Sequence, residues 1–293
     1  MKNKLKINKL SFYTKQLICI MVFVFANIIG VQAQVIKSFV QRTSAATPTK
    51  KIYNIKGDYV MIGNTNLTLQ SYGNNTNNSN NTMVYVDVDG DPNTLNSSTS
   101  TLSFSTENGA DPSCSNIIYA GLYWTGRASN DATSPENFTV TKGGVTKNFN
   151  KRTVSLKGPG AAGYTNFVAN PGNIYYPNGT YGSMYSGYVE VTSYVKDHGI
   201  GQYSVADIAL VEGNGGSTGY YGGWGLIVVY ENSKMNWRDV TVFDGHAYVV
   251  GNSSVNFELP VSGFNTAQSG PINMKLGVMA GEGDVGISGD YFR

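Results

Sequence analysis

From Lys51 onward, short runs rich in β-branched and aromatic residues alternate with clusters of Gly, Asn, Ser, Asp and Pro, and apolar residues show almost no helical spacing. That pattern admits few folds. Such strands bury their apolar faces only against a second sheet or by closing on themselves, so an all-β chain is expected. The architecture expected is a β-sandwich, jelly-roll-like, with long Gly/Asn/Tyr-rich loops. Strands are predicted at Lys51–Ile55, Tyr59–Ile62, Leu67–Gln70, Met83–Val88, Thr101–Ser105, Ile117–Trp124, Phe138–Lys142 and Val145–Phe149. They continue at Tyr188–Thr192, Tyr203–Glu212, Trp224–Glu231, Asp239–Phe243, Ala247–Val250, Val255–Leu259 and Met274–Met279.

Several segments say more. Trp224–Tyr230 is apolar on both faces and belongs in the middle of a sheet covered on both sides. In the run from Ile117, alternation puts Ile118, Ala120, Leu122 and Trp124 on one face and Tyr119 and Tyr123 on the other. Asp244-Gly245 and Lys142-Gly143-Gly144-Val145 read as hairpin turns, because tight hairpins need positive φ. Thr192–Gly199 reads as a capped helical turn with a glycine exit, forming a corner between sheets. Tyr72–Thr82 is polar and Asn-rich, with nothing to bury, and is expected to be a mobile surface loop. Gly158–Tyr185 is expected to be a long loop.

The N-terminus sets the compartment. Lys2, Lys4, Lys6, Lys9 and Lys15 precede or open an apolar stretch from Leu17 to Val31, which ends in Val31-Gln32-Ala33 before Gln34. This is the build of a secretory signal peptide over residues 1–33, with 34–293 as a single domain that is exported and not inserted in the membrane. Of 21 Lys+Arg, five leave with the leader, so 16 remain against 19 Asp+Glu, a net charge of −3. A weakly acidic chain with no basic stripe excludes nucleic acid as the expected partner. Only Cys114 remains of the two cysteines, so no internal disulfide is expected, and the thiol is read as a partly buried apolar residue.

Chemistry-bearing patterns are sparse. Asp87-Val88-Asp89-Gly90-Asp91 offers hard oxygen donors on a tight turn, and Asp87, Asp89 and Asp91 form a candidate Ca²⁺ site. The loop departs from an EF-hand: a strand enters it, and its twelfth position is Ser98. Gly281–Asp290 is a second acidic, Gly-rich stretch, read mainly as a loop. Tyr175, Tyr176, Tyr181, Tyr220 and Tyr221 fall in Gly-rich segments and form a candidate ligand-binding set, since rigid aromatic rings beside small polar residues suit protein or sugar contacts. The two histidines, His198 and His246, adjoin turn glycines and are expected to face water. Neither has a nucleophile or metal-ligand spacing beside it, and no catalytic residue is assigned. Glu190, Glu212, Glu231 and Glu258 would have to supply any glycosidase pair.

The strings Ala120–Gly126, Gly222–Glu231, Arg238–Gly245 and Glu282-Gly283-Asp284 resemble the N-terminal region of large flavobacterial-type surface proteins. These are adhesin-like repeat proteins, many with a gliding-motility or Type IX sorting domain. The resemblance covers roughly Ile117 to Asp290 and implies architecture, a cell-surface or extracellular setting and no activity that carries over. The chain shows no repeat array or sorting domain, so on this resemblance it is either a fragment or a departure from the pattern. The expectation is a secreted or cell-surface, non-catalytic adhesion or structural module stiffened by Ca²⁺, with surface proteins or extracellular glycans as partners. A carbohydrate-binding module is the alternative, and a secreted glycan-active hydrolase stands behind both.

Overall fold

The computed structural model describes residues 33–128, 136–177, 183–249 and 257–281. The predicted leader, apart from Ala33, lies outside them, as does Tyr181 and all of Gly281–Asp290 beyond Gly281. Two compact units divide the chain, one of residues 36–246 with 260–293 and one of residues 1–35 with 247–259. The second contributes to the described residues only strand ends and a short irregular stretch.

Strands run in chain order as β1 (Ala33–Gln41), β2 (Tyr53–Thr65), β3 (Leu67–Leu69), β4 (Thr82–Tyr85), β5 (Ser97–Leu102), β6 (Asn116–Arg127), β7 (Asn137–Lys142), β8 (Val145–Asn150) and β9 (Thr153–Lys157). They continue as β10 (Thr165–Val168), β11 (Ile174–Tyr175), β12 (Met184–Glu190), β13 (Gly201–Ala206), β14 (Gly213–Asn214), β15 (Gly222–Glu231), β16 (Trp237–Val240) and β17 (Phe243–Val249). Among the described residues, one short α-helix, α1 (Thr192–His198), and several 3₁₀ turns interrupt them. The protein is an all-β sandwich, as the turn-punctuated pattern demanded.

Its larger sheet has the order β11-β12-β6-β15-β2-β16 and its smaller β10-β9-β13-β5, with neighbours antiparallel throughout. The two share one core. Leu122, Trp124, Trp224, Leu226 and Val228 of the larger sheet pack with Leu102, Val154, Leu156, Tyr203 and Val205 of the smaller. Each large apolar side chain buried this way contributes about 1.5–3 kcal/mol. Trp124 and Trp224 are register partners, and their indole N–H groups donate to Lys151 O and Ser98 Oγ, both at 2.8 Å. Gly187 faces Trp124 on β12, where any Cβ would lie 2.5 Å from the indole ring.

Polar residues inside the sandwich are paired with one another. Asn66, Asn96 and Ser98 are fully buried. Asn66 Nδ2 donates to Asn96 Oδ1 (2.8 Å) and Val205 O (3.0 Å), and Ser98 Oγ donates to Asn66 Oδ1 (2.6 Å). Asn96 Nδ2 reaches Ile208 O (2.9 Å), and Ile208 N–H returns to Asn96 Oδ1 (3.1 Å). Pairing of this kind removes the desolvation penalty that isolated buried amides carry.

Several expectations change. Lys51–Ile55 and Tyr59–Ile62 join into β2, because Gly57 lets the chain lie against Tyr230 O and Glu231 without a break. The strand expected at Thr101–Ser105 runs instead over β5, and Tyr203–Glu212 ends at Ala206, before Asp207 turns to φ 56°. Asp244-Gly245 is not a turn. It lies inside β17, which pairs with β1, while β16 pairs with β2. Gly245 is required there because β1 passes so close that a Cβ would meet Lys37 O at 2.5 Å.

Gly158–Tyr185 is not one loop, since it carries β10, β11 and the start of β12. Ile117 takes the core position expected of Ile118, because β6 and β15 slip register between Val229 and Tyr230. No strand forms over Met274–Met279 or in the described part of Val255–Leu259. The corner at α1 is present and carries the chain from the larger sheet (β12) to the smaller (β13). Its cap position is Val191, however, and Thr192 spends its hydroxyl on Ala120 N–H and Glu190. Gly143 and Gly144 have φ of 59° and 84°, as the β7–β8 hairpin requires.

Candidate functional site

The acidic turn after β4 does not gather its carboxylates. Asp87 Oδ1 accepts from Ser97 Oγ (3.0 Å), and Asp91 Oδ1 accepts from the N–H (2.9 Å) and amide (2.8 Å) of Asn93. Asp89 accepts from Asp91 N–H (2.8 Å), Thr94 Oγ1 (3.1 Å) and the Tyr164 hydroxyl. Burial pushes Asp89 upward, but these donors outweigh it and hold the carboxyl below its ordinary range. Among the described residues, no three His, Cys, Asp or Glu side chains are grouped so as to hold a metal ion. Asp87, Asp89 and Asp91 each accept hydrogen bonds from the chain itself.

The candidate tyrosines that the structure describes differ in burial, and Tyr181 lies outside the described residues. Tyr220 is buried, with the Arg127 guanidinium 5.2 Å from its ring centre. Tyr176 packs on the main core, and Tyr175 is half-buried near His246, 6.2 Å between ring centres. Tyr221 is half-buried. The Asn-rich Tyr72–Thr82 segment is itself tied down: Asn80 N–H donates to Gly216 O (2.7 Å) and Asn78 Nδ2 to Tyr220 O (3.3 Å). Asn214 Nδ2 returns to Asn80 O (2.9 Å). Cys114 is exposed, not buried, because it closes a short 3₁₀ turn.

A polar cluster that the sequence did not reveal sits on the outer face of the larger sheet. Alternation along β6 sends Tyr119 and Tyr123 outward, where their hydroxyls lie 3.4 Å apart and Tyr119 reaches Tyr188 at 3.1 Å. Tyr123 donates to Asp244 Oδ2 (3.1 Å), which also accepts Arg42 Nε at 2.5 Å. The Arg42 guanidinium stands 4.0 Å over the Tyr188 ring. Burial pushes Asp244 above its ordinary range even though Arg42 and Tyr123 pull it back, and burial pushes the Tyr119, Tyr123 and Tyr188 phenols far up. Two residues along β17, His246 Nδ1 lies 2.6 Å from Ser186 Oγ, and its Nε2 is buried without a hydrogen-bond partner. Burial holds this ring at a pKa of about 4, so it is neutral near pH 7. His246 and His198 are both half-buried, His246 with its Nε2 covered and His198 with Nδ1 3.0 Å from Pro159 O, so neither ring stands free in water.

Beside this cluster lies a cleft of about 280 Å³ lined by Arg42, Thr43, Asn170, Asn173, Tyr188 and Glu190, among others. Glu190 accepts Ala45 N–H (2.7 Å) and the Thr192 hydroxyl (2.8 Å) and is the sole carboxylate in the lining. Glu212 is taken by Tyr85 N–H and Lys142, Glu231 by Asn116, and Glu258 is exposed elsewhere. Glycoside hydrolysis needs two carboxylates about a single sugar linkage, which this lining does not supply. Ser186 and His246 form a pair, and among the described residues no third group hydrogen-bonds to the ring to orient it.

Comparison with family models, with curated proteins and with solved structures finds no match. Function therefore rests on the geometry.

Proposed function

We propose that the protein is an exported, non-catalytic module that acts at the cell surface or outside the cell by adhesive or structural contact with another protein. The basic, then apolar, N-terminal segment supports export. One observation carries the contact reading. Ile272, Met274, Leu276 and Val278 occupy alternate positions and are 58%, 68%, 73% and 45% exposed, with Lys275 between them reaching back to Asp58 Oδ2 (2.9 Å). Apolar side chains in an uninterrupted outward row are uncommon on a protein that works alone, and they suit an apolar strip on a protein partner. Replacing Met274 and Leu276 with Asp tests this. The variant is expected to melt within a few degrees of the parent yet to lose retention of the purified chain on source cells; retention unchanged removes the proposal.

The polar cleft favours a second reading, carbohydrate binding. Amides of Asn170 and Asn173, with Thr43 and Glu190, are donors and acceptors suited to sugar hydroxyls, although the Tyr188 face is covered by Arg42. Glycan retention lost on Asn170→Ala with Asn173→Ala would move the assignment there. Export is likewise part of the proposal, and so is the absence of turnover.

A further inference from the structure

Asp207, at the exit of β13, is one of three non-glycine residues with positive φ among those described, and its φ of 56° folds the carboxyl back toward the core edge. The residue is buried. Its N–H donates to Asn96 O (2.9 Å), and its Oδ1 accepts Leu95 N–H (3.0 Å), so backbone and side chain grip one dipeptide together. Its other oxygen, Oδ2, contacts Lys147 Nζ. Lys147 sits on β8 and is fixed from the other side by Asn93 O at 2.5 Å. A strained backbone that aims a buried carboxyl at a held amine is more than an ion pair requires, since flexible surface groups make such pairs unaided.

We propose that Lys147 and Asp207 condense into an intramolecular amide that cross-links β8 to the end of β13. The ion pair first passes one ammonium proton to the carboxylate, leaving a neutral amine and a neutral acid. Lys147 Nζ then attacks Asp207 Cγ, the N–C bond forms, the Cγ–Oδ2 bond breaks, and one water leaves with the second amine proton. No oxidant or other co-reactant is consumed. Leu95 N–H points at Oδ1, where negative charge develops in the tetrahedral intermediate, as an oxyanion donor must. Fixing both partners in contact substitutes for concentration, and effective molarities of about 10⁵–10⁸ M are attainable in well-oriented intramolecular reactions. Burial also pushes the Asp207 carboxyl up, toward the neutral acid that condensation needs.

The link would span a separation of 60 residues and pin the β7–β8 hairpin, a separate two-stranded sheet, to the sandwich. Closing a long loop covalently restricts the unfolded chain in the way a disulfide does. That suits a chain with Cys114 as its one described cysteine, and it does not depend on what the module binds.

The test is the intact mass of the folded native chain, followed by proteolysis. The expected result is a mass one water lower than that of the sequence counted from the chain's observed N-terminus, with one branched peptide joining the segments that hold Lys147 and Asp207. Lys147→Arg, which keeps the ion pair but cannot condense in this way, is expected to restore the full mass and to melt at a lower temperature. A native chain at full sequence mass, or a lost water without the branched peptide, overturns the proposal and leaves an ordinary ion pair.

Discussion

His246 gives a pH dependence that can be worked out in sign. Burial lowers its pKa from 6.5 to about 4 in the folded chain, so on acidification the unfolded chain takes up the proton first. The stabilising contribution is complete above about pH 6.5, shrinks below it and is lost as the pH falls through about 4, with a size of at most about 3 kcal/mol. Urea midpoints of the parent and His246→Gln at about pH 7 and pH 4.5 check this. The parent is expected to lose more stability than the variant between the two, and equal losses would contradict the burial of the ring. Asn96 allows a second prediction at this scale. Asn96→Ala strands the Ile208 N–H inside the sandwich and leaves the Asn66 amide with Val205 O alone, and is expected to cost about 2–4 kcal/mol in urea unfolding. Nothing in the local sequence marks Asn96 as buried, because its partner Ile208 is 112 residues away and Asn ordinarily signals a turn.

Strands and turns were legible where the decision is local. The β7–β8 hairpin follows from two adjacent glycines that must take positive φ, and β15 follows from a run apolar on both faces. Asp244-Gly245 was misleading because the same dipeptide serves a tight turn or a close strand approach, and only β1, far away in sequence, decides between them. The two glycines therefore predict different costs. Gly245→Ala drives a methyl into the β1 backbone and is expected to cost about 2–3 kcal/mol. Gly144→Ala meets no atom within 4 Å and is expected to cost about 1–2 kcal/mol through its backbone angle alone. The reverse order of melting temperatures would mean that β1 is not seated on β17. In the acidic turn, Asp87, Asp89 and Asp91 each have donors from the chain, so neither Ca²⁺ nor a chelator is expected to move the melting midpoint; a rise with Ca²⁺ would restore the metal site.

At the scale of the whole molecule, fold class was legible and the site was not. Strand count, turn spacing and the α1 corner are properties of contiguous sequence, whereas the Arg42–Asp244–Tyr123–Tyr188 cluster is assembled from residues near β1, β6, β12 and β17. Composition does not say which way a ring turns, and of the loop tyrosines Tyr220 turns into the fold. What stands is a sandwich with a polar network in its interior, an outward apolar row and a polar cleft, and the proposed contact role rests on the row. The central claim is that this body works outside the cytoplasm. Its most direct test is a blot of surface, medium and cytoplasmic fractions of the source cells with serum against residues 34–293, with N-terminal sequencing of the band. The account predicts antigen at the surface or in the medium, beginning at Gln34. Antigen confined to the cytoplasm with residues 1–33 still attached would contradict it.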